Sequence, residues 1–175
     1  MEGNYVETTV RRNVRYIDIL IRAFWIACII WGTVQLFQIN GMITFCFLGL
    51  NATLIWFFWK SYKVDYEYIF CDGQIDFDII KNDIKRKHKL RIQLEDAVFF
   101  AAPDNSQIVN QKNVKTVLNY SSYGNPDKEY ALIVKKQDRL LKIIFEPNDK
   151  MLDRIRFKLP RKCELRSQDL ERINN

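Results

Sequence analysis

Ala23–Trp59 reads AFWIACIIWGTVQLFQINGMITFCFLGLNATLIWFFW and contains no charged side chain. One helix of that length would run about 55 Å at about 1.5 Å per residue. A bilayer core about 30 Å thick needs roughly 20 residues. One span is therefore too few and three are too many, so two spans are expected. The break falls at Gln38-Ile39-Asn40-Gly41, which holds the one Asn-Gly pair of the stretch, a strong turn former. The expected spans are Ile19–Phe37 and Met42–Trp59, with Arg22 near the start of the first, where a long side chain snorkels to the headgroups.

Basic residues set the expected orientation. Arg11, Arg12, Arg15 and Arg22 precede or open the first span, Lys60 and Lys63 follow the second, and the turn has none. The positive-inside rule puts both chain ends in the cytoplasm, as in a two-span protein of the cell membrane. Trp56, Phe57, Phe58 and Trp59 then form an aromatic belt at the inner interface. The polar residues inside the expected spans are Thr33, Gln35, Thr44, Asn51 and Thr53, none ionisable, which argues against an ion pathway. Folding at the turn brings small residues of the two helices together, and the expected packing positions are Cys28, Gly32, Gly49 and Asn51. Two spans alone enclose no pathway, so transport enters only through a homo-oligomer or as an accessory subunit of a larger complex.

The whole chain has 27 Lys and Arg against 21 Asp and Glu, a formal net charge of +6. That excess suits the anionic inner leaflet. No nucleic-acid module motif accompanies it, so nucleic acid is not an expected partner. The four cysteines are scattered, without a CxxC pair or a Cys/His cluster, so neither zinc nor a disulfide framework is indicated and no cofactor is expected.

Before the spans, residues 1–9 are polar. Val10, Val14, Ile17 and Ile21 then follow a helical period, with Arg11, Arg15, Asp18 and Arg22 on another face. Residues 1–18 are thus expected to be an amphipathic lead-in, residues 19–60 the hairpin, 61–160 a cytoplasmic domain and 161–175 a charged tail.

After Lys60 the period changes to two. Tyr66, Tyr68 and Phe70 alternate with Asp65 and Glu67, Asp72-Gly73 marks a hairpin turn, and Ile75, Phe77 and Ile79 alternate with Asp76 and Asp78. His88, Leu90, Ile92 and Leu94 alternate with Lys87, Lys89, Arg91 and Gln93 in a third strand, which places His88 on the apolar face. Further strands are expected at Ala97–Ala101, Val114–Ser121, Tyr130–Lys135 and Leu140–Phe145, the last two around a turn at Gln137-Asp138. Asn148 then caps a helix whose stripe is Met151, Leu152 and Ile155, and Pro160 ends it. The fold class is α+β: a transmembrane hairpin followed by a pleckstrin-homology-like antiparallel barrel of about seven strands, capped by a C-terminal helix.

Three short motifs add a resemblance. Tyr66-Glu67-Tyr68, Asp72-Gly73-Gln74-Ile75-Asp76 and Phe145-Glu146-Pro147-Asn148 are similar to the wording of an uncharacterised family of small Gram-positive bacterial membrane proteins, over about residues 5–165. In that family a two-span hairpin accompanies a pleckstrin-homology-like domain. These motifs are a turn and a helix start, so the resemblance implies a fold and no active site.

No phosphate-binding glycine loop, HExxH or nucleophile elbow occurs, so no enzyme is expected. Asp65, Glu67, Asp76 and Asp78 lie on adjacent strand faces beside a basic strand, the pattern of a salt-bridged sheet face. The candidate binding residues are Lys81, Lys85, Arg86, Lys87, Lys89 and Arg91, clustered soon after the anchor and suited to anionic lipid. Lys158, Arg161, Lys162 and Arg166 form a second basic group. The expected role is a membrane-anchored, non-enzymatic interaction or scaffold module, whose partner is a protein or the bilayer. The alternative is a sensor of anionic headgroups or of a small ligand.

Overall fold

The structure, a computed structural model, describes residues 5–13, 16–39, 41–60, 63–111, 113–136 and 139–174. The strands are β1 (Tyr5–Arg11), β2 (Val64–Cys71), β3 (Gln74–Lys81), β4 (Lys85–Gln93), β5 (Ala97–Ala101), β6 (Val114–Asn119), β7 (Tyr130–Lys136), β8 (Arg139–Phe145) and β9 (Cys163–Glu164). The α-helices are α1 (Tyr16–Ile39), α2 (Gly41–Lys60), α3 (Ser106–Val109), α4 (Asp149–Lys158) and α5 (Ser167–Asn174). Two compact units result: Met1–Arg12 together with Val64–Asn175, and Asn13–Lys63.

The N-terminal segment differs most from expectation. In place of a helical lead-in it forms β1, antiparallel to β2 in a register running from Tyr5↔Cys71 to Arg11↔Asp65. The reason lies in its own alternation. Val6 and Val10 pack against the core, while Glu7 and Arg11 point to the other face. The helical hairpin is therefore an insertion between two neighbouring strands of one domain rather than a segment preceding it.

The strands form two open sheets, ordered β1-β2-β3-β4 and β6-β8-β7-β5-β9, in place of the expected closed barrel of about seven strands. Two pairings are parallel, β6 with β8 and β5 with β9. The tight turns follow the sequence. Asp72 (φ 48°) and Gly73 (φ 86°) join β2 to β3, and Asn82 (φ 55°) and Asp83 (φ 57°) join β3 to β4. Positive φ at both central positions is the twist-matched hairpin geometry that Asp, Asn and Gly tolerate best. The expected turn at Gln137-Asp138 lies outside the described residues, as does Asn40.

Aromatic rings fill the space between the sheets. Phe77 stacks on Tyr120 with centroids 5.2 Å apart and meets Phe145 edge-on at 5.2 Å, and Phe100 stacks on Tyr130 at 5.0 Å. The Tyr68 hydroxyl donates to the Tyr120 carbonyl, and burial pushes its pKa well above the usual phenol value. Helix α4 begins where Asn148 Oδ1 accepts the Met151 N–H at 2.8 Å, and it buries Met151, Leu152 and Ile155 in the same core. Glu146, just before it, is buried and accepts the Ser122 N–H at 2.5 Å.

The last segment is more than a charged tail. Helix α5 carries Asp169, only 3% exposed, whose carboxylate accepts from the Tyr130 hydroxyl and from Arg172. The Arg166 N–H donates to the same Tyr130 oxygen at 3.1 Å, and its guanidinium lies 5.3 Å from the ring centroid.

Because Arg11 faces Asp65, the two strands flanking the insertion can be joined directly. Replacing residues 13–63 with a short Asn-Gly turn is expected to give a soluble domain with cooperative thermal unfolding. A fragment beginning at residue 64, which lacks β1, is expected to unfold at lower temperature or without a cooperative transition. Circular dichroism melts of the two proteins decide it.

Candidate functional site

The basic strand β4 is sorted by one irregularity. Its register with β3 shifts between Phe77, which faces Leu90, and Asp78, which faces His88. Lys89 is thus an extra residue, a bulge, and every side chain on the earlier part of β4 changes face. His88, expected on the apolar side, instead stands half exposed beside Asp78, with Nδ1 and Oδ1 2.9 Å apart. Arg86 moves to the same face, where it pairs with Glu67 and, at 2.9 Å, with Asp78. Beyond the bulge, Arg91 faces Asp76 and holds it through two hydrogen bonds of 2.7 and 2.8 Å. Arg11 of β1 completes the face, 3.2 Å from Asp65.

On this face the carboxylates of the two middle strands, β2 and β3, are flanked by basic side chains of the outer strands, Arg11 of β1 and Arg86, His88 and Arg91 of β4. Glu67 and Asp78 are only 5% and 8% exposed, roofed by the longer cationic side chains. The Arg91 guanidinium lowers the Asp76 carboxyl below the usual carboxylate range, and Asp76 and Asp65 in turn raise Arg91 and Arg11. Arg86 and Arg91, two of the six candidate binding residues, are thereby committed to structure. The other four, Lys81, Lys85, Lys87 and Lys89, are exposed and have no carboxylate partner among the described residues.

The bulge also places Lys85 directly opposite Lys81, and Lys87 opposite Ile79. Lys81 in turn faces Val64, where the chain returns from the helical unit. Like charges directly opposite on a strand pair repel. At the adjoining turn Ile84 stands 82% exposed.

A sequence model of the bacterial PH-like domain family DUF6106 matches residues 2–165. The chain belongs to this family. Comparison with curated proteins and with solved structures returns no match. The match takes in β1, both long helices and β9, so the interrupted domain falls within the family's extent, and α5 lies after it.

The second basic group of this PH-like domain is largely occupied. Lys158 lies 3.7 Å from Asp72, Lys162 Nζ donates to the Ala97 carbonyl at 2.7 Å, and Arg166 donates to the carbonyls of Pro126 and Asp127. Among the described residues no group of His, Cys, Asp and Glu is placed to hold a metal ion. Burial pushes the Cys163 thiol up to about 12, so at neutral pH it stays protonated and unreactive.

In the helical unit, Ile19–Ile39 is long and apolar enough to cross a membrane, with mean hydropathy 1.8, while the apolar part of α2, Gly41–Trp56, is shorter. The two helices pack through Gly32, where an added Cβ would come 3.1 Å from the Phe47 ring, and through buried Thr44 and Asn51. Asn51 Nδ2 donates to the Phe47 carbonyl one turn back at 2.9 Å, which satisfies it within its own helix. Cys28 and Gly49, also expected at the seam, face outward instead, and nothing lies within 4 Å of a Cβ built on Gly49. For Gly49 the physical reason is angular: it sits about 160° around α2 from Asn51, on the far side of the helix from the seam.

Arg86→Met is expected to lower stability by about 1–3 kcal/mol, because it removes the cation paired with buried Glu67 and leaves Asp78 with His88 alone. Lys87→Met is expected to stay within about 0.5 kcal/mol. Urea titration of the shortened domain without the helices measures both. Arg91→Gln is expected to return Asp76 toward its ordinary value. A lowered carboxylate contributes stability above its unfolded pKa and loses it as pH falls through the folded one. The gap in stability between wild type and Arg91→Gln should therefore be present at neutral pH and narrow in acid. Carboxyl NMR titration of Asp76 reads the shift directly.

Proposed function

We propose that this PH-like domain is a membrane-tethered, non-enzymatic binding or scaffold module, held by two spans with both chain ends in the cytoplasm. The pairing of β1 with β2 across the helical insertion carries the reading. Two strands that share a sheet lie on one side of a bilayer. A hairpin between them crosses an even number of times or not at all. Helix α1 has the length and apolarity to cross, so α2 has to return. Its 20 residues, at about 1.5 Å each, match a core about 30 Å thick. The flanking basic residues favour the cytoplasmic side for the domain.

The non-enzymatic part rests on the sheet face. Its carboxylates and its histidine are engaged in ion pairs and hydrogen bonds, which leaves no poised acid–base pair there. A membrane-bound platform with free strand edges suits a partner strand or the leaflet itself.

Topology reporters test the anchor. A reporter active only outside the cell, fused in the turn at Gly41, is expected to be active. The same reporter fused after α5 is expected to be silent, and the chain should resist carbonate extraction. Activity at both sites, or release by carbonate, overturns the reading.

A further inference from the structure

We infer that the β3–β4 turn is a leaflet-docking element: Lys81, Lys85 and Lys87 bind anionic lipid headgroups while Ile84 enters the apolar boundary beneath them. The inference deepens the membrane-anchored reading and rests on it.

Two observations meet at this turn. The first is electrostatic. The bulge at Lys89 sets Lys81 and Lys85 directly opposite each other and Lys87 two positions further along the same face. Facing cations repel, and no carboxylate among the described residues offsets them. The two carboxylates of the neighbourhood are turned elsewhere: Asp78 to Arg86 and His88, and Asp83 to Arg11 at 3.8 Å. An external anion relieves the repulsion. The second is Ile84. An exposed apolar side chain is ordinary by itself, but this one stands at a turn tip between Lys81 and Lys85. An apolar tip ringed by ammonium groups matches a leaflet, where anionic headgroups overlie hydrocarbon.

An acidic peptide offers the same charge complement. It does not account for Ile84 at the tip, and the leaflet is the anion that the anchor holds at high local concentration.

The test uses the full chain in lipid nanodiscs of neutral phosphatidylcholine, or with about a third of it replaced by phosphatidylglycerol. An environment-sensitive nitrobenzoxadiazole label is placed on Ile84→Cys and, as a control at the far end of the same sheet, on Gln74→Cys, after Cys28, Cys46 and Cys71 are changed to Ser. In anionic discs the label at 84 is expected to shift to the blue, to be quenched by spin-labelled lipid, and to lose most of its quenching by aqueous iodide. The label at 74 should remain open to iodide. Lys81→Glu with Lys85→Glu and Lys87→Glu, or raised salt, is expected to restore iodide access at 84 several-fold while the chain stays with the disc. A label at 84 that is as accessible as that at 74 in anionic discs overturns the inference. So does lysine-dependent binding of a poly-glutamate peptide that leaves position 84 in water, which would make the turn an acidic-protein site. Chains that elute apart from disc lipid overturn the anchor itself, and the inference with it.

Discussion

The β1–β2 ladder is the constraint on which the rest of this protein depends. It joins residues 54 positions apart at Arg11 and Asp65, with the whole helical unit between them. Without it the first sheet loses an edge strand, and Val6 and Val10 leave the core. With it, the points where the chain leaves and rejoins the sheet lie a strand spacing apart, about 4.8 Å, so the insertion is entered and left at one end of the sheet.

A single extra residue in β4 does comparable work for the surface. Lys85 to Arg91 is a nearly unbroken basic run, and without the bulge its charges would alternate regularly between the faces. The shift at Lys89 brings Arg86 and His88 to the carboxylate face beside Arg91 and leaves Lys81, Lys85 and Lys87 together on the other side. Arginine and lysine are divided according to their chemistry. The guanidinium fork suits the paired, half-roofed carboxylates, whereas the hydrated ammonium groups stay in solvent. Ion pairing within the sheet and exposure to solvent thus fall to different members of one short run.

Much of this was legible from local pattern. The strands from Val64 to Gln93, the Asp72-Gly73 turn and the Asn148 cap each follow from a few neighbouring residues. What was illegible depends on distant partners. Tyr5–Arg11 alternates as a strand should, yet its partner strand β2 lies beyond the hairpin, and the spacing of Val10, Val14, Ile17 and Ile21 competes with a helical period. The bulge has no signature within KRKHKLRIQ, because it is defined by the pairing of that strand with Phe77 and Asp78 of β3. Whether two sheets close into a barrel is decided by strand edges far apart in the chain. The docking of α5 turns on one buried carboxylate, Asp169, and one hydroxyl, Tyr130, 39 positions earlier.

The interrupted strand pair also orders events in time. β1 is made before its partner and has nothing to pair with until the two long helices and β2 have followed. A sheet that depends on so distant a contact is slow to close. Until then the hydrogen-bonding edges of β1 and β2 stay open to other strands, so completion of the first sheet is the step at which the domain ceases to be a target for mispairing.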